Sequence, residues 1–415
     1  MKFSRYFIWL TLFVATPLAA APLGSDITGL LDYAREHNPQ LAAARYDAEA
    51  ASQRAQAAGA LPDPVLRTEL MDVTNEGSNK PASISPAGVG STRYLLMQTV
   101  PWYGRRDLQR DQARAQALQA DGMSAATWAE LAGKIKFAYA LYYYQSGSEK
   151  LALDTLELLR YLEKVAQTRY ANGIASQQEV IRVQLENSAL QSELLEFENE
   201  KHHAYGRINA LLSRPAMAEL AEPRQPLTLP EHLDYTALTT RLRAANPQLQ
   251  IADAANEEAK KSRDLTYNNR YPGFTLGVAP NQRGSSVKSW DLMVELNIPL
   301  QQGARRAQER EADAKLAAAS ARAQAQLDQM LNEMSENVAG FETARRNENL
   351  IVTRLLPQAE LNFQSALSAY QNGGIDFSSL LDAQRQILRV RQQRLKAEYE
   401  AQLRLADVER LIGDK

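Results

Sequence analysis

Arg169-Tyr170-Ala171-Asn172-Gly173-Ile174 and, 200 positions later, Ala369-Tyr370-Gln371-Asn372-Gly373-Gly374-Ile375 are two copies of one signal. Each ends a long Ala/Gln/Leu-rich segment, and each is followed at once by another segment of helical pattern. Asn and Gly tolerate left-handed backbone angles, so both stretches read as tight turns that reverse a helix. The segments after the turns share one hydrophobic phase: Val180, Val183, Leu190, Ile208 and Leu211 in the first, Leu380, Ala383, Val390, Val408 and Leu411 in the second. That phase is a coiled-coil seam, and its recurrence marks an internal two-fold repeat.

Composition narrows the classes. The 415 residues carry a net charge of −2, which lacks the basic footprint of nucleic-acid binding. No cysteine is present, which excludes disulfides, thiolate metal sites, thiol nucleophiles and a lipid-modified cysteine. Lys2 and Arg5 precede an apolar run from Tyr6 to Ala15, and Pro17-Leu18-Ala19-Ala20-Ala21 offers small residues for cleavage. Residues 1–21 therefore read as a secretory signal peptide, cut after Ala20 or Ala21, the alternative being an N-terminal anchor helix. Nothing downstream is long and apolar enough for a transmembrane helix.

Asn38-Pro39-Gln40-Leu41 and Asn246-Pro247-Gln248-Leu249 are helix starts, Asn as N-cap and Pro at the first helical position. A short helix at about 26–36 precedes the first. Both Asn-Pro helices end near prolines, Pro62/Pro64 and Pro272, where the hydrophobic period changes to two. Trp290, Leu292, Val294, Leu296 and Ile298 alternate with Ser289, Asp291, Met293, Glu295 and Asn297; Phe274, Leu276 and Val278 do the same, and 65–73 and 94–100 are weaker equivalents. Thr74–Thr92 and Asn281–Lys288, rich in Gly, Ser, Asn and Pro, read as loops. Val100-Pro101-Trp102-Tyr103-Gly104-Arg105-Arg106 and Ile298-Pro299-Leu300-Gln301-Gln302-Gly303-Ala304-Arg305-Arg306 then lead into helices of about 65 residues, about 100 Å long at about 1.5 Å per residue. The returning helices, about 176–213 and 377–413, are shorter by roughly 25 residues, so that stacking each on an Asn-Pro helix matches the long one. The organisation is a first repeat at 22–213 with a β-hairpin at 64–101, a Pro-rich linker at 214–230 around the outside, and a second repeat at 231–415 with a hairpin at 272–299 and a turn at 370–375.

The stripe from Trp290 to Ile298 would aggregate in water. In a bilayer it is a lipid-facing barrel strand with Trp near the interface. A barrel needs at least about eight strands, so several chains must each contribute four. The competing reading is a soluble sandwich packed on a helix, which the signal peptide and the helix length disfavour.

Asn-Pro helix, hairpin, Pro–Gly junction, long helix, Tyr-x-x-Gly turn and returning helix, in this order and twice, resemble the TolC family of outer-membrane efflux channels over essentially the whole chain after residue 21. The resemblance implies a mainly α fold with a small β part. Four strands per chain contribute to a twelve-stranded trimeric outer-membrane β-barrel, continuous with an antiparallel coiled-coil tunnel across the periplasm. It also implies a passive, non-enzymatic exit duct without cofactors. Its partners would be two further copies, outer-membrane lipid, a periplasmic adaptor (membrane fusion) protein and an inner-membrane pump of the RND type. Ala60-Leu61-Pro62-Asp63-Pro64, Pro101-Trp102-Tyr103-Gly104-Arg105 and the compact length resemble the subgroup serving heavy-metal pumps. The alternatives are drug efflux, polypeptide secretion through the same fold, or a soluble periplasmic coiled-coil scaffold. Without a lipidated cysteine, the barrel alone is expected to anchor the protein.

No nucleophile, P-loop or zinc-protease motif is present, so function should lie in a pore and docking surfaces. The resemblance makes Asn172, Gly173, Ile174, Asn372, Gly373, Gly374 and Ile375 the adaptor-docking tip, the alternative being that they only reverse the chain. It makes Glu179, Tyr370 and Asp382 a periplasmic gate, with Asp382 repeated by symmetry as an acidic ring favouring cations; the alternative for Asp382 is a solvated helix-face charge. Ser379 and Ile375 depart from the family, occupying an acidic ring position and a positively charged linking position. Met71, Met97 and Met293 have thioethers that suit Cu(I), but flexible filler on a barrel wall is the stronger reading. His202-His203 are adjacent and point about 100° apart on a helix, which disfavours a shared metal. Tyr142-Tyr143-Tyr144 reads as interhelical packing. Arg105-Arg106 and Arg305-Arg306 lie at helix N-termini, where the dipole disfavours them, and are assigned to the barrel–tunnel junction.

Overall fold

A computed structural model describes residues 23–77 and 81–413, so the signal-peptide reading of 1–21 lies outside the described residues. The elements are α1 (Ile27–His37), α2 (Pro39–Ala57), β1 (Val65–Met71), β2 (Ser91–Val100), α3 (Arg105–Ala171), α4 (Gln177–Leu211), α5 (Tyr235–Ala245), α6 (Pro247–Asn268), β3 (Gly273–Arg283), β4 (Ser286–Asn297), α7 (Gln302–Leu350), a π-helical turn (Ile351–Leu355), α8 (Leu356–Gln371) and α9 (Phe377–Leu411). By internal packing the described residues form two compact units, one of 23–36, 138–228 and 362–395, the other drawn from 37–77, 81–137, 229–361 and 396–413.

In the larger unit, the Asn-Pro starts are capped as their sequences require. Leu41 N–H donates to Asn38 Oδ1 (3.0 Å) and Leu249 N–H to Asn246 Oδ1 (2.9 Å). The Asn246 Nδ2 donates in turn to the Leu411 carbonyl at 2.7 Å, so the end of α9 abuts the start of α6. Leu238, Leu242 and Leu249 share one core there with Met330, Met334 and Phe341 of α7 and with Leu405, Val408 and Leu411 of α9. The expected stacking of returning helix on Asn-Pro helix is thus met in the second repeat. α5, for which the sequence carries no strong start signal beyond one aspartate, is capped by Asp234, whose Oδ1 accepts from the N–H groups of Thr236 and Ala237.

The four strands form one antiparallel sheet in the order β1-β2-β3-β4. The sheet has two unlike faces, because side chains alternate along each strand. On one, Trp290, Leu292 and Val294 are 69, 86 and 71% exposed, continuous with Leu276, Leu96 and Leu66. On the other, Arg93 lies 3.8 Å from Glu69 and 3.7 Å from Asp291. Asn281 Nδ2 also donates to Asp291 Oδ2 there (2.7 Å), and Leu95, Met97 and Ala279 cluster with Met293. Met97 and Met293 therefore pack as filler. Three boundaries differ from expectation, β2 starting at Ser91 rather than 94. β3 and β4 run through the loop expected at 281–288 and turn at Gly284-Ser285, where Gly284 has φ 59°. β1 ends at Met71 rather than 73, because Asp72 and Asn75 take φ of 54° and 55° and start a loop closed by Asn75 Nδ2 donating to Pro81 O and Gly88 O.

α3 is a single helix of 67 residues, whereas its counterpart is broken into 49, 5 and 16. Pro357 is the cause: it has no N–H to give and its ring crowds the carbonyl one turn back, and widening that turn to a π-helix relieves both. The returning helices have 35 residues each, a wider gap to α3 than expected, because Ser213 and Gly413 turn left-handed (φ 57° and 64°) just beyond their ends.

In the smaller unit the expected seam is buried: Val183 and Leu190 are 0 and 5% exposed, Leu380 and Val390 0 and 7%. Tyr139 OH donates to the carbonyls of Ser25 (3.2 Å) and Gln225 (2.7 Å), tying the segment before α1 and the linker to α3. Tyr142 of α3 meets the Tyr205 ring of α4 edge-on (6.3 Å), packing the two helices, and the exposed His202 stacks on Tyr205 within α4 (centroids 6.1 Å).

Candidate gate and docking tip

Both turns have the same backbone, dictated by glycine. Gly173 and Gly373 take φ of 71° and 73°. Gly173 N–H donates to Tyr170 O (3.0 Å) and Ile174 N–H to Arg169 O (2.9 Å); Gly373 N–H donates to Tyr370 O (3.1 Å) and Gly374 N–H to Ala369 O (2.8 Å). These paired bonds are the Schellman closure of a helix C-terminus. Asn172, Gly173, Asn372, Gly373 and Gly374 are exposed, Ile174 is 64% exposed and Ile375 is half-buried.

The helices leaving the turns are capped differently. Ser176 precedes α4, and its N–H donates to Glu179 Oε1 at 3.4 Å. Asp376 precedes α9 and accepts from Ser379 N–H (3.0 Å), Ser379 Oγ (2.5 Å) and Ser378 Oγ (2.7 Å). Those bonds hold the Asp376 carboxyl down at about 2. Ser379, the departure from the family's acidic position, is thus part of a helix cap.

Glu179 has a second partner. Its Oε2 accepts from Tyr370 OH at 3.0 Å, joining α4 to α8. Tyr370 is 2% exposed, and its ring packs on Phe377 (centroids 5.2 Å). Burial first, then the hydrogen bond and charge of Glu179, push its hydroxyl up to about 12. Arg169 completes the cluster. Its guanidinium lies 4.7 Å from the Tyr370 ring centroid, and Nη1 donates to the carbonyls of Tyr370 (3.3 Å) and Gln371 (3.4 Å). A positive charge from the first turn thus lies against the second, whose own Ile375 carries none. Sequence reasoning gives Arg169 no role; the one signal that could have found it is that the equivalent position in the second copy is Ala369.

Of the three expected gate residues the structure brings Glu179 and Tyr370 together and leaves Asp382 apart. The Asp382 side chain is 73% exposed, 3.5 Å from Arg385, which is itself held by Glu186 through two bonds of 3.0 and 2.6 Å. Gln392 Nε2 donates to Glu193 Oε1 (3.0 Å), so α4 and α9 are cross-linked twice. Among the described residues no group of three or more His, Asp or Glu converges as metal ligands.

Comparison with known proteins supplies the family. The profile of the family described as "Outer membrane efflux protein" matches residues 30–214 and 238–414, once per repeat. A search of curated proteins finds no match. Among solved structures, the outer-membrane channel OprN is 20% identical, with 94% of this chain and 90% of that one covered and a TM-score of 0.78. VceC from Vibrio cholerae is 19% identical, with 93% and 96% covered and a TM-score of 0.79. CusC is 16% identical, with 94% and 92% covered and a TM-score of 0.78. The chain belongs to the outer membrane efflux protein family, the TolC-type channels: it is a non-enzymatic outer-membrane efflux channel with a periplasmic helical tunnel, and channels of this family form trimers within tripartite efflux systems.

Proposed function

We propose that this duct exports heavy-metal cations, received from an inner-membrane RND-type pump through a periplasmic adaptor. Three copies close a twelve-stranded barrel. The observation that carries the assembly is the open sheet itself: the apolar row of Trp290, Leu292 and Val294 is exposed on a sheet of four strands whose outer edges, β1 and β4, have no strand partner within the described chain. Further copies that pair both edges and a bilayer that covers the row remove both liabilities at once.

The cargo reading rests on charge. An exposed Asp382 in each of three chains makes an acidic ring at the tunnel entrance, and the Pro62–Pro64 and Pro101–Arg105 motifs agree with the heavy-metal subgroup. Ile174, with the small residues Asn172, Gly173, Asn372, Gly373 and Gly374 and the half-buried Ile375, forms a surface that an adaptor's helical hairpin can approach closely. The Glu179–Tyr370 bond, backed by Arg169, holds the closed entrance. A deletion strain sensitive to copper, zinc, cobalt or cadmium supports the cargo. Sensitivity to organic drugs alone, or loss of a secreted polypeptide alone, replaces it. Planar-bilayer conductance tests the ring: Asp382→Asn should lower cation selectivity, and unchanged selectivity rules it out.

A further inference from the structure

Where the strands meet the helices, a cavity of about 540 Å³ is lined by Arg105, Arg305, Asn269 and the strand-foot residues Thr99, Gly273 and Asn297, and none of its lining residues is a carboxylate. Both guanidiniums lean on one residue. Arg105 Nη1 donates to Asn269 Oδ1 (2.5 Å), and Arg305 Nη1 donates to the Asn269 backbone carbonyl. Arg305 Nε is shut off from water and has no hydrogen-bond partner among the described residues.

This arrangement is unfavourable as it stands. Two like charges share one anchor, and both lie in the first turns of helices, α3 and α7, whose dipoles repel cations. The nearby carboxylates are engaged elsewhere. Glu309 is bound by Arg270 Nε and Nη2 at 2.5 and 2.6 Å, and Asp107 lies 3.2 Å from Arg110. Glu309 acts on Arg305 through its charge, but the Arg305 Nε donor keeps no hydrogen-bond partner, and a buried donor without one points to a missing acceptor.

We propose that this cavity binds a phosphate-type oxyanion between Arg105 and Arg305. The planar forks of two arginines match tetrahedral oxyanions, and the helix starts that disfavour arginine favour the anion. Thr99, Gly273 and Asn297 lie on the same sheet face as Met97 and Met293, so the strands line the cavity from the polar side of the sheet. A soluble anion is one source of the ligand. A phospholipid headgroup at the foot of the barrel offers the same chemistry. The site does not depend on the cargo proposed above.

The test is calorimetric titration of the full chain, extracted in detergent, with inorganic phosphate at constant ionic strength. One saturable site per chain is expected. Arg105→Gln and Arg305→Gln should each weaken binding tenfold or more, whereas Arg310→Gln, an exposed charge on the same helix, should not. Arg305→Lys keeps the charge without the fork; it guards against misfolding and should weaken binding several-fold. In parallel, native mass spectrometry after reconstitution with phosphatidylglycerol reads retained lipid. Retention lost in the same two variants, with no inorganic phosphate bound, assigns the oxyanion to a headgroup. If the wild-type chain binds neither probe better than the Arg105→Gln/Arg305→Gln double variant, or if Arg310→Gln weakens binding as much, the site does not exist.

Discussion

The two hairpin turns share a backbone and differ in nearly every side chain around it. Tyr170 and Tyr370 occupy equivalent positions one residue before the end of a helix, yet Tyr170 is 48% exposed and Tyr370 is 2% exposed. The cause lies in the first residues of the helix beyond each turn. Position 377 is a phenylalanine that closes over Tyr370, while its equivalent, Gln177, is exposed. Position 179 is a glutamate that reaches across to Tyr370, while its equivalent, Ser379, turns back to its own cap. Duplication preserved the turn and divided the labour: the first copy supplies Arg169 and Glu179, and the second supplies the tyrosine they hold.

The comparison is broken most directly by truncating each tyrosine. Tyr370→Ala should cost about 3–5 kcal/mol, as for a large buried aromatic, and Tyr170→Ala within about 0.5 kcal/mol. Hydrogen exchange over α8 and α9 reads the difference, and equal losses would mean that the two turns are interchangeable. Tyr370→Phe isolates the hydroxyl. Removing a hydrogen bond to a charged acceptor should cost about 1.5–3 kcal/mol and raise the open probability in single-channel records. The pH dependence has a definite sign. The Tyr370 hydroxyl is raised from 10.0 to about 12, so its contribution is complete below pH 10 and is lost as pH climbs toward 12. Absorbance of tyrosinate should show a late-titrating set that includes Tyr139, also raised to about 12, and Tyr370→Phe should remove one member of it.

The shared part of the comparison has its own test. Gly173→Ala and Gly373→Ala place a side chain at φ 71° and 73°, where left-handed backbone costs about 1–2 kcal/mol. A Cβ at either position meets no atom within 4 Å, so strain is the only term and the two losses should match.

Much of this was readable from the chain. The seam, the Asn-Pro caps and the Gly turns are local or periodic signals, and the structure realises each. The end of the β3–β4 hairpin was not, because Asn281, Gln282, Arg283, Ser286 and Lys288 are polar on both faces, so the strands lose their alternation before they end. The π-turn had its cause in plain view at Pro357, but a wide-phase helical pattern continues across a widened turn without a break. At the tip, Tyr370 and Glu179 were placed by family likeness. Arg169 was missed because its partners are carbonyls of residues 201 and 202 positions away, a pairing with no sequence signature.

The smallest effect expected concerns the two caps. Asp376→Ala removes three bonds from the start of α9, and Ser176→Ala disturbs a looser capping box at the start of α4. At neutral pH each should lower exchange protection only in the first turn of its own helix, Asp376→Ala by more. Acid separates them. The Asp376 carboxyl is held at about 2 against an ordinary 3.8, so its cap is fully present above pH 3.8 and fades as pH falls toward 2. Below that point Asp376→Ala should match the wild-type chain at α9, because the protonated carboxyl accepts from Ser378 and Ser379 too weakly to differ from an alanine. Ser176 carries no titrating group, so a Ser176→Ala difference that vanished over the same interval would mean that the cap of α4 depends on a charge not its own.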